Sequence, residues 1–204
     1  CELCLINCDL VNNSAYLNAI RPASLNGASC YAGFAYLDST NSTFKNFIFY
    51  NYSAITMIDY YSNSSPSCYG GVIYTSHFSY DNIPVYLNLT KCEFINNKAY
   101  VTHHGSSYGG AISTDSILYL ESCTFINNSA FTKDVSHVSD GGAIALYNTG
   151  IINKCKFTNS LAINGAEINY AGSNFFSSGS FYLNISNCVF QETYHRNFLY
   201  EIFI

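Results

Sequence analysis

One eight-residue phrase recurs along this chain and constrains it more than anything else in it. Cys92-Glu93-Phe94-Ile95-Asn96-Asn97-Lys98-Ala99 returns as Cys123-Thr124-Phe125-Ile126-Asn127-Asn128-Ser129-Ala130 and, altered, as Cys155-Lys156-Phe157-Thr158-Asn159-Ser160-Leu161-Ala162. Self-similarity at a fixed interval marks an array in which each unit buries its apolar face against its neighbours. Three more copies complete the set, anchored at Cys8, at Phe47 in place of cysteine, and at Cys188. Successive anchors lie 39, 45, 31, 32 and 33 residues apart, so a basic unit of 31 to 33 residues is lengthened by insertions in two places. A second phrase keeps the same beat in Ala32-Gly33, Gly70-Gly71, Gly109-Gly110, Gly141-Gly142 and Asn164-Gly165.

The side-chain period identifies the unit. Ahead of the anchors, Leu3 and Leu5, Leu87 and Leu89, Leu118 and Leu120, and Leu183 and Ile185 alternate with polar residues, the period-two pattern of a half-buried strand. The step from the last of each pair to the anchor is three residues, an odd step that marks a bend keeping both arms facing inward. Each unit thus reads as three short strands: Gly-Gly-Ala-Ile, Leu-x-Leu, and Cys-x-Phe closed by Asn-Asn. The remainder is rich in Ser, Thr, Asn and Tyr and lacks the Ala, Glu, Lys and Leu that fill helices.

The expected fold is all-β, a right-handed parallel β-helix of about six three-strand coils. Residues 1–204 form a single array, with inserted loops at about 55–69, 74–84 and 171–180. Equivalent residues of successive coils should stack at one strand spacing, roughly 4.8 Å. Phe49, Phe94, Phe125, Phe157 and Phe190 then form one ladder, the anchor cysteines another, and Asn13, Asn97 and Asn128 chain their amides.

The pairing of Gly-Gly-Ala-Ile with Phe-x-x-Asn resembles the repeat of chlamydial polymorphic outer membrane proteins, and of similar repeats in surface proteins of some protists. Phe94 to Asn97, Phe125 to Asn128, Gly109 to Ile112 and Gly141 to Ile144 carry the resemblance. Phe47, Glu167 and the pair Glu192-Thr193 depart from it. The resemblance implies a surface-displayed β-helical stalk or adhesin and no catalytic residues.

Composition narrows the partners. Charged residues make up only 10% of the chain and the formal net charge is −5, which offers no electrostatic footprint for nucleic acid. No stretch approaches the roughly 18 to 20 apolar residues of a membrane-spanning helix. The Cys1 end opens inside a unit, and residues 198–204 close on an alternating apolar run. Uncapped solenoid ends are templates for another chain. The expectation is self-association by end-to-end stacking into a fibre, with Cys1, Cys4, Phe198, Tyr200, Ile202 and Ile204 at the junction. The alternative is a stalk segment of a large cell-surface adhesin.

Asn12, Asn41, Asn51, Asn63, Asn88, Asn127 and Asn184 open N-glycosylation triplets, only slightly more than this composition yields by chance. Their phase says more, because Asn88 and Asn184 sit between inward Leu and Ile and must face outward. Nine cysteines suit a secreted or cell-surface protein. Cys30 and Cys68, each two residues before its Gly phrase, should be neighbours joined by a disulfide. The anchor cysteines are read as buried thiols, since in-register Cβ atoms stack too far apart for a bond.

No catalytic, metal or cofactor site is legible, and the chain is not expected to be an enzyme. Asp115, Asp134 and Asp140 flank the Gly phrase singly, with no Asp-Asp or Asp-x-Asp pair. His103-His104, with His77 or His137, lacks metal-ligand spacing. The 19 tyrosines, among them Tyr60-Tyr61, Tyr69 and Tyr108, suit either a sugar- or protein-binding face or packing between loops. The reading is an extracellular adhesive or structural protein with N-linked glycans and a host or matrix surface as partners; a polysaccharide-binding or polysaccharide-processing module is the rival.

Overall fold

Leu87 and Leu89 are buried while Tyr86, Asn88 and Thr90 between them are not, and the same alternation in each copy raises a wall. The computed structural model describes residues 2–6, 9–19, 29–58, 67–76, 84–102, 105–134, 137–171, 181–191 and 202–203. Wall one stacks Glu2–Ile6, Asn41–Lys45, Tyr86–Thr90, Ile117–Glu121, Gly150–Asn153 and Leu183–Ser186. Wall two stacks Asp9–Val11, Ile48–Tyr50, Glu93–Ile95, Thr124–Ile126, Lys156–Thr158 and Val189–Gln191. Every pair is parallel, and like residues lie opposite like, as Phe94 opposite Phe125 and Leu87 opposite Leu118. The molecule is a parallel β-helix.

The coil has five walls, two more than the three strands read from the sequence, and walls three and four hold four strands each where the others hold six. Wall three is Ser14–Ala19, Ser53–Ile58, Lys98–Val101 and Ser129–Thr132; wall four is Cys30–Tyr31, Ser67–Tyr69, Ser106–Tyr108 and Ser139–Asp140. Their inward side chains are small or polar, such as Ala54, Thr56, Ala99 and Ser107, so hydrophobic periodicity does not announce them. Wall five, from the Gly-Gly-Ala-Ile phrase, holds Ala35–Asp38, Ile73–Ser76, Ile112–Thr114, Ile144–Leu146, Ile168–Tyr170 and Ile202–Phe203. The strands of walls three, four and five claim both edges of the loop expected at 55–69 and the start of the one at 74–84. The remainder of those loops, and nearly all of 171–180, lies outside the described residues.

The corners are built from single residues in the left-handed region. Between walls one and two stand Asn46, Lys91, Ser122, Lys154 and Asn187, with φ of 57°, 53°, 57°, 52° and 55°. This accounts for the odd step before each anchor. After wall two, the first Asn of the pair takes the same conformation, as at Asn96 and Asn127 (φ 57° and 54°), which asparagine tolerates better than most residues. Gly109 opens wall five at φ 62°, and a Cβ there would strike the Ile112 carbonyl oxygen.

Inside, the phenylalanines form the expected ladder: centroids are 4.8 Å apart for Phe49–Phe94 and Phe94–Phe125, 4.9 Å for Phe125–Phe157 and 5.0 Å for Phe157–Phe190. Phe47, replacing the anchor cysteine, stacks on Phe49 at 5.3 Å. The second Asn of each pair supplies the polar ladder. Asn97 Nδ2 donates to Asn128 Oδ1 at 2.9 Å and to Phe49 O at 3.1 Å, and Asn128 Nδ2 donates to Phe94 O at 2.9 Å. Tyr52 takes the ladder position one coil earlier; its hydroxyl accepts Asn13 Nδ2 at 2.8 Å. Among the described residues no helix is long and apolar enough to cross a membrane.

Candidate functional site: a tyrosine and carboxylate corner

Walls four and five meet at an angle, and three outward ladders line it. On wall four, register places Tyr31, Tyr69, Tyr108 and Asp140 one above another. On wall five it stacks Tyr36, Tyr74, Ser113, Ala145 and Asn169. Beyond them Asp38 and Ser76 share a third register row, with Asp115 and Tyr147 each next after Thr114 and Leu146.

In the first two coils the rings fill the angle. Tyr31 stacks on Tyr36, Tyr69 and Tyr74 at 5.4, 5.4 and 5.1 Å, and Tyr69 continues to Tyr108 at 5.0 Å. In the first coil Tyr31 and Tyr36 are 42% and 52% exposed, and the Tyr36 hydroxyl shares a hydrogen bond of 3.0 Å with Ser76 Oγ. In the third and fourth coils the middle row falls to Ser113 and Ala145. There the Tyr147 ring meets Tyr108 edge-on at 6.2 Å.

This half of the corner is acidic. Burial pushes the Asp115 carboxyl up to about 6, since a charge removed from water favours its neutral form. Burial also raises Asp140, opposed by hydrogen bonds from Asn164, whose Nδ2 donates to Oδ1 at 2.8 Å, and from Asn169. The Tyr147 phenol is held well above its usual range, first by burial and then by the charge of Asp140, with Asp115 also contributing. Asp115 acts on Tyr69 and Tyr74 as well. On the corner's floor the Ser113 hydroxyl is fully buried with no hydrogen-bond partner.

Tyr108 pairs with Asp140 and Thr114 with Leu146, so Asp115 and Asp140 stand on successive coils along this corner. Of the expected tyrosine face, Tyr69 and Tyr108 belong to this corner, while Tyr60 and Tyr61 lie outside the described residues. His103, His104 and His77 do too. His137 Nε2 stands 3.9 Å from Asp134 Oδ2, and no group able to hold a metal ion occurs among the described residues.

Cys30 and Cys68 are register partners on adjacent coils, as their spacing implied, and both carry thiols. The disulfide expected between them is not formed in this structure. Cys30 Sγ donates to Ala15 O and Cys68 Sγ to Tyr100 O, each at 3.2 Å, so each sulfur has a backbone partner in place of a bond. Cys92, Cys123, Cys155 and Cys188 are also free thiols. They stack as a ladder in which Cys123 N donates to Cys155 Sγ and Cys155 N to Cys188 Sγ, both at 3.4 Å.

Asn88 and Asn184 lie on the outer side of wall one, Asn88 half-buried and Asn184 exposed. Asn12, Asn41, Asn51 and Asn127 are exposed, and Asn12, Asn51 and Asn127 are left-handed corner residues, not ladder members. Asn63 falls outside the described residues. So do the junction candidates Cys1, Phe198, Tyr200 and Ile204. Cys4 and Ile202 lie in strands paired to Asn41–Lys45 and Ile168–Tyr170.

Residues 91–115 and 122–147 match the Chlamydia polymorphic membrane protein (Chlamydia_PMP) repeat. These two stretches, about a quarter of the chain, hold the clearest Phe-x-x-Asn and Gly-Gly-Ala-Ile phrases and include Asp115, Asp140 and Tyr147. No curated protein and no solved structure matches the chain.

Proposed function

We propose that this chain is a surface-displayed, non-catalytic β-solenoid of an adhesive extracellular protein, and that the tyrosine and carboxylate corner is its binding face. The corner is the observation that carries this reading. A scaffold with only 10% charged residues gathers ring hydroxyls and carboxylates along one angle over successive coils, where a rigid frame holds them against a partner. Amphipathic rings with one wet edge suit such interfaces. The repeat match supports surface display, since that repeat takes its name from membrane proteins. Asp140, held by Asn164 and Asn169, is committed as a hydrogen-bond acceptor, which favours binding over acid–base catalysis.

The partners are a host or matrix surface, with N-linked glycans on the outward asparagines and no role for nucleic acid. Adhesion of beads coated with the protein tests this. Replacing exposed Tyr31 and Tyr36 with alanine should remove most adhesion, while Glu93→Gln on wall two should leave it intact. Equal adhesion by all three would remove the corner from the account.

A filament assembled end to end is a second reading. Its support is the last described coil, where Leu183, Ile185, Cys188 and Phe190 are only partly buried against the core. Electron microscopy of the full chain separates it from a stalk: filaments with a regular axial repeat support stacking, and monodisperse particles at high concentration count against it.

A further inference from the structure

Tyr36 begins a hydrogen-bonded chain that ends on a carboxylate. Its hydroxyl lies 3.0 Å from Ser76 Oγ, and Ser76 Oγ donates to Asp38 Oδ1 at 3.2 Å. A serine hydroxyl has one proton to give, so with that proton on Asp38 the Tyr36 phenol is the donor in the first link. Parallel register sets the chain up: Tyr36 and Asp38, two residues apart, share the outer side of one strand, and Ser76 is the partner of Asp38 on the next coil. Ser39 Oγ also donates to Asp38 Oδ1, at 3.2 Å. Ser76 is fully buried, whereas Tyr36 is 52% exposed and Asp38 is exposed. The phenol is thus open to an oxidant while its proton has a fixed path to a base.

A second phenol stands beside it. The Tyr31 ring, 42% exposed, lies 5.4 Å from the Tyr36 ring between centroids with the planes 23° apart. Tyr182 is as exposed as Tyr36, at 54%, and Tyr50 and Tyr119 follow at 38% and 36%. Among the described residues, no hydrogen bond links the hydroxyl of Tyr50, Tyr119 or Tyr182 to a carboxylate.

We propose that Tyr36 is an oxidation site, and that with hydrogen peroxide and a haem peroxidase it couples to Tyr31 as a dityrosine. The peroxide-oxidised haem takes one electron from each phenol. As Tyr36 loses its electron, its proton moves to Ser76 Oγ while the Ser76 proton moves to Asp38, a carboxylate being a far stronger base than water. The Tyr31 proton leaves to solvent. The two phenoxyl radicals then form one C–C bond between ring carbons ortho to the oxygens, and the hydrogen on each joined carbon moves to oxygen, restoring both phenols. In sum, two tyrosines and one hydrogen peroxide give one dityrosine and two waters. Tyr31 is the partner because the fold holds it close, at an effective concentration that a second molecule does not reach. This chemistry goes beyond the corner's role as a binding face and does not depend on it.

Treating the full chain with hydrogen peroxide and a haem peroxidase, then mapping its peptides by mass spectrometry, tests the proposal. Two hydrogens should be lost jointly from Tyr31 and Tyr36, with dityrosine fluorescence in material that runs as a single chain on a denaturing gel, before Tyr50, Tyr119 or Tyr182 reacts. Asp38→Asn should slow the coupling about tenfold, less than the typical effect of a positioned base because solvent can still take the proton. Asp38→Glu, which keeps the base, should retain most of the rate. Ser76→Ala breaks the same chain and should slow coupling alike, a second variant should the first fold poorly. Tyr31→Phe should abolish the internal link. Reaction at Tyr182 ahead of Tyr36, coupling of Tyr36 to a second molecule in place of Tyr31, no dityrosine at all, or equal rates in wild type, Asp38→Asn and Ser76→Ala would overturn it.

Discussion

Ser160 donates its backbone N–H to the Glu167 carboxylate at 3.0 Å, within its own coil. In earlier coils the same donor reaches the next coil: Tyr52 N to Asn97 Oδ1 at 2.9 Å and Asn97 N to Asn128 Oδ1 at 3.1 Å. The asparagine phrase decays to Glu192-Thr193 after Ser160, and Glu167, which replaces the Ala of the Gly-Gly-Ala-Ile phrase, supplies the acceptor from inside. Glu167→Ala should cost on the order of 1 to 3 kcal/mol, because it leaves a buried donor unpaired. Glu167→Gln, which keeps an oxygen there, should lose much less. Urea unfolding midpoints of the two variants measure the difference.

Ala32 occupies the corner that Gly70, Gly109, Gly141 and Gly165 fill elsewhere, with φ 46°. A left-handed L-residue is strained by roughly 1 to 2 kcal/mol. Ala32→Gly should therefore stabilise the protein by about 1 kcal/mol, one of the few positions in a folded chain where adding a glycine helps. Gly109→Ala should do the reverse and by more, since its Cβ would strike the Ile112 carbonyl. Thermal unfolding of both variants checks the opposite signs.

Phe125 lies between Phe94 and Phe157 with interplanar angles of 2° and 5° and no exposure. Phe125→Ala removes a ring from the middle of the ladder and should cost about 3 to 5 kcal/mol. An equally stable variant, by chemical denaturation, would mean that the ladder contributes little.

The Asp115 carboxyl, raised to about 6 by burial, lies above an unfolded value near 3.9. The folded state therefore binds this proton more tightly. Its contribution to stability is present below about pH 4 and is lost as the pH rises through about 6. Asp115→Asn should make the protein more stable than wild type at pH 7.5, by on the order of 2 kcal/mol, and nearly equal to it at pH 4. Unfolding curves at the two pH values test the sign.

Cys188 is half-buried, whereas Cys30, Cys68, Cys92, Cys123 and Cys155 are buried. Brief alkylation of the native protein should label Cys188 ahead of Cys30, Cys68, Cys92, Cys123 and Cys155. The same peptide map reports whether Cys30 and Cys68 remain thiols in natively produced material; a bond between them would show that the register pair closes on oxidation.

The ladders were legible because repetition aligns Phe94 with Phe125 and Asn97 with Asn128 without knowledge of the coil. The corner was not. Tyr36, Ser113 and Tyr147 belong to no repeated phrase, and their alignment along one corner depends on registers set across insertions of unequal length. Walls three and four escaped for another reason: Ala54, Thr56 and Ser107 are buried but too small or too polar to produce an apolar period. Glu167 looked like a defect in a conserved-looking phrase, and its role became visible only with the distance to Ser160.

The most direct measurement of the central claim is a nitration footprint of the protein, free and then bound to the surface it adheres to, read tyrosine by tyrosine by mass spectrometry. If the corner is the binding face, Tyr31 and Tyr36, exposed in the free protein, become protected on binding, while Tyr119 on wall one and Tyr50 on wall two stay reactive. Protection of Tyr50 and Tyr119 with Tyr31 and Tyr36 still reactive would contradict it.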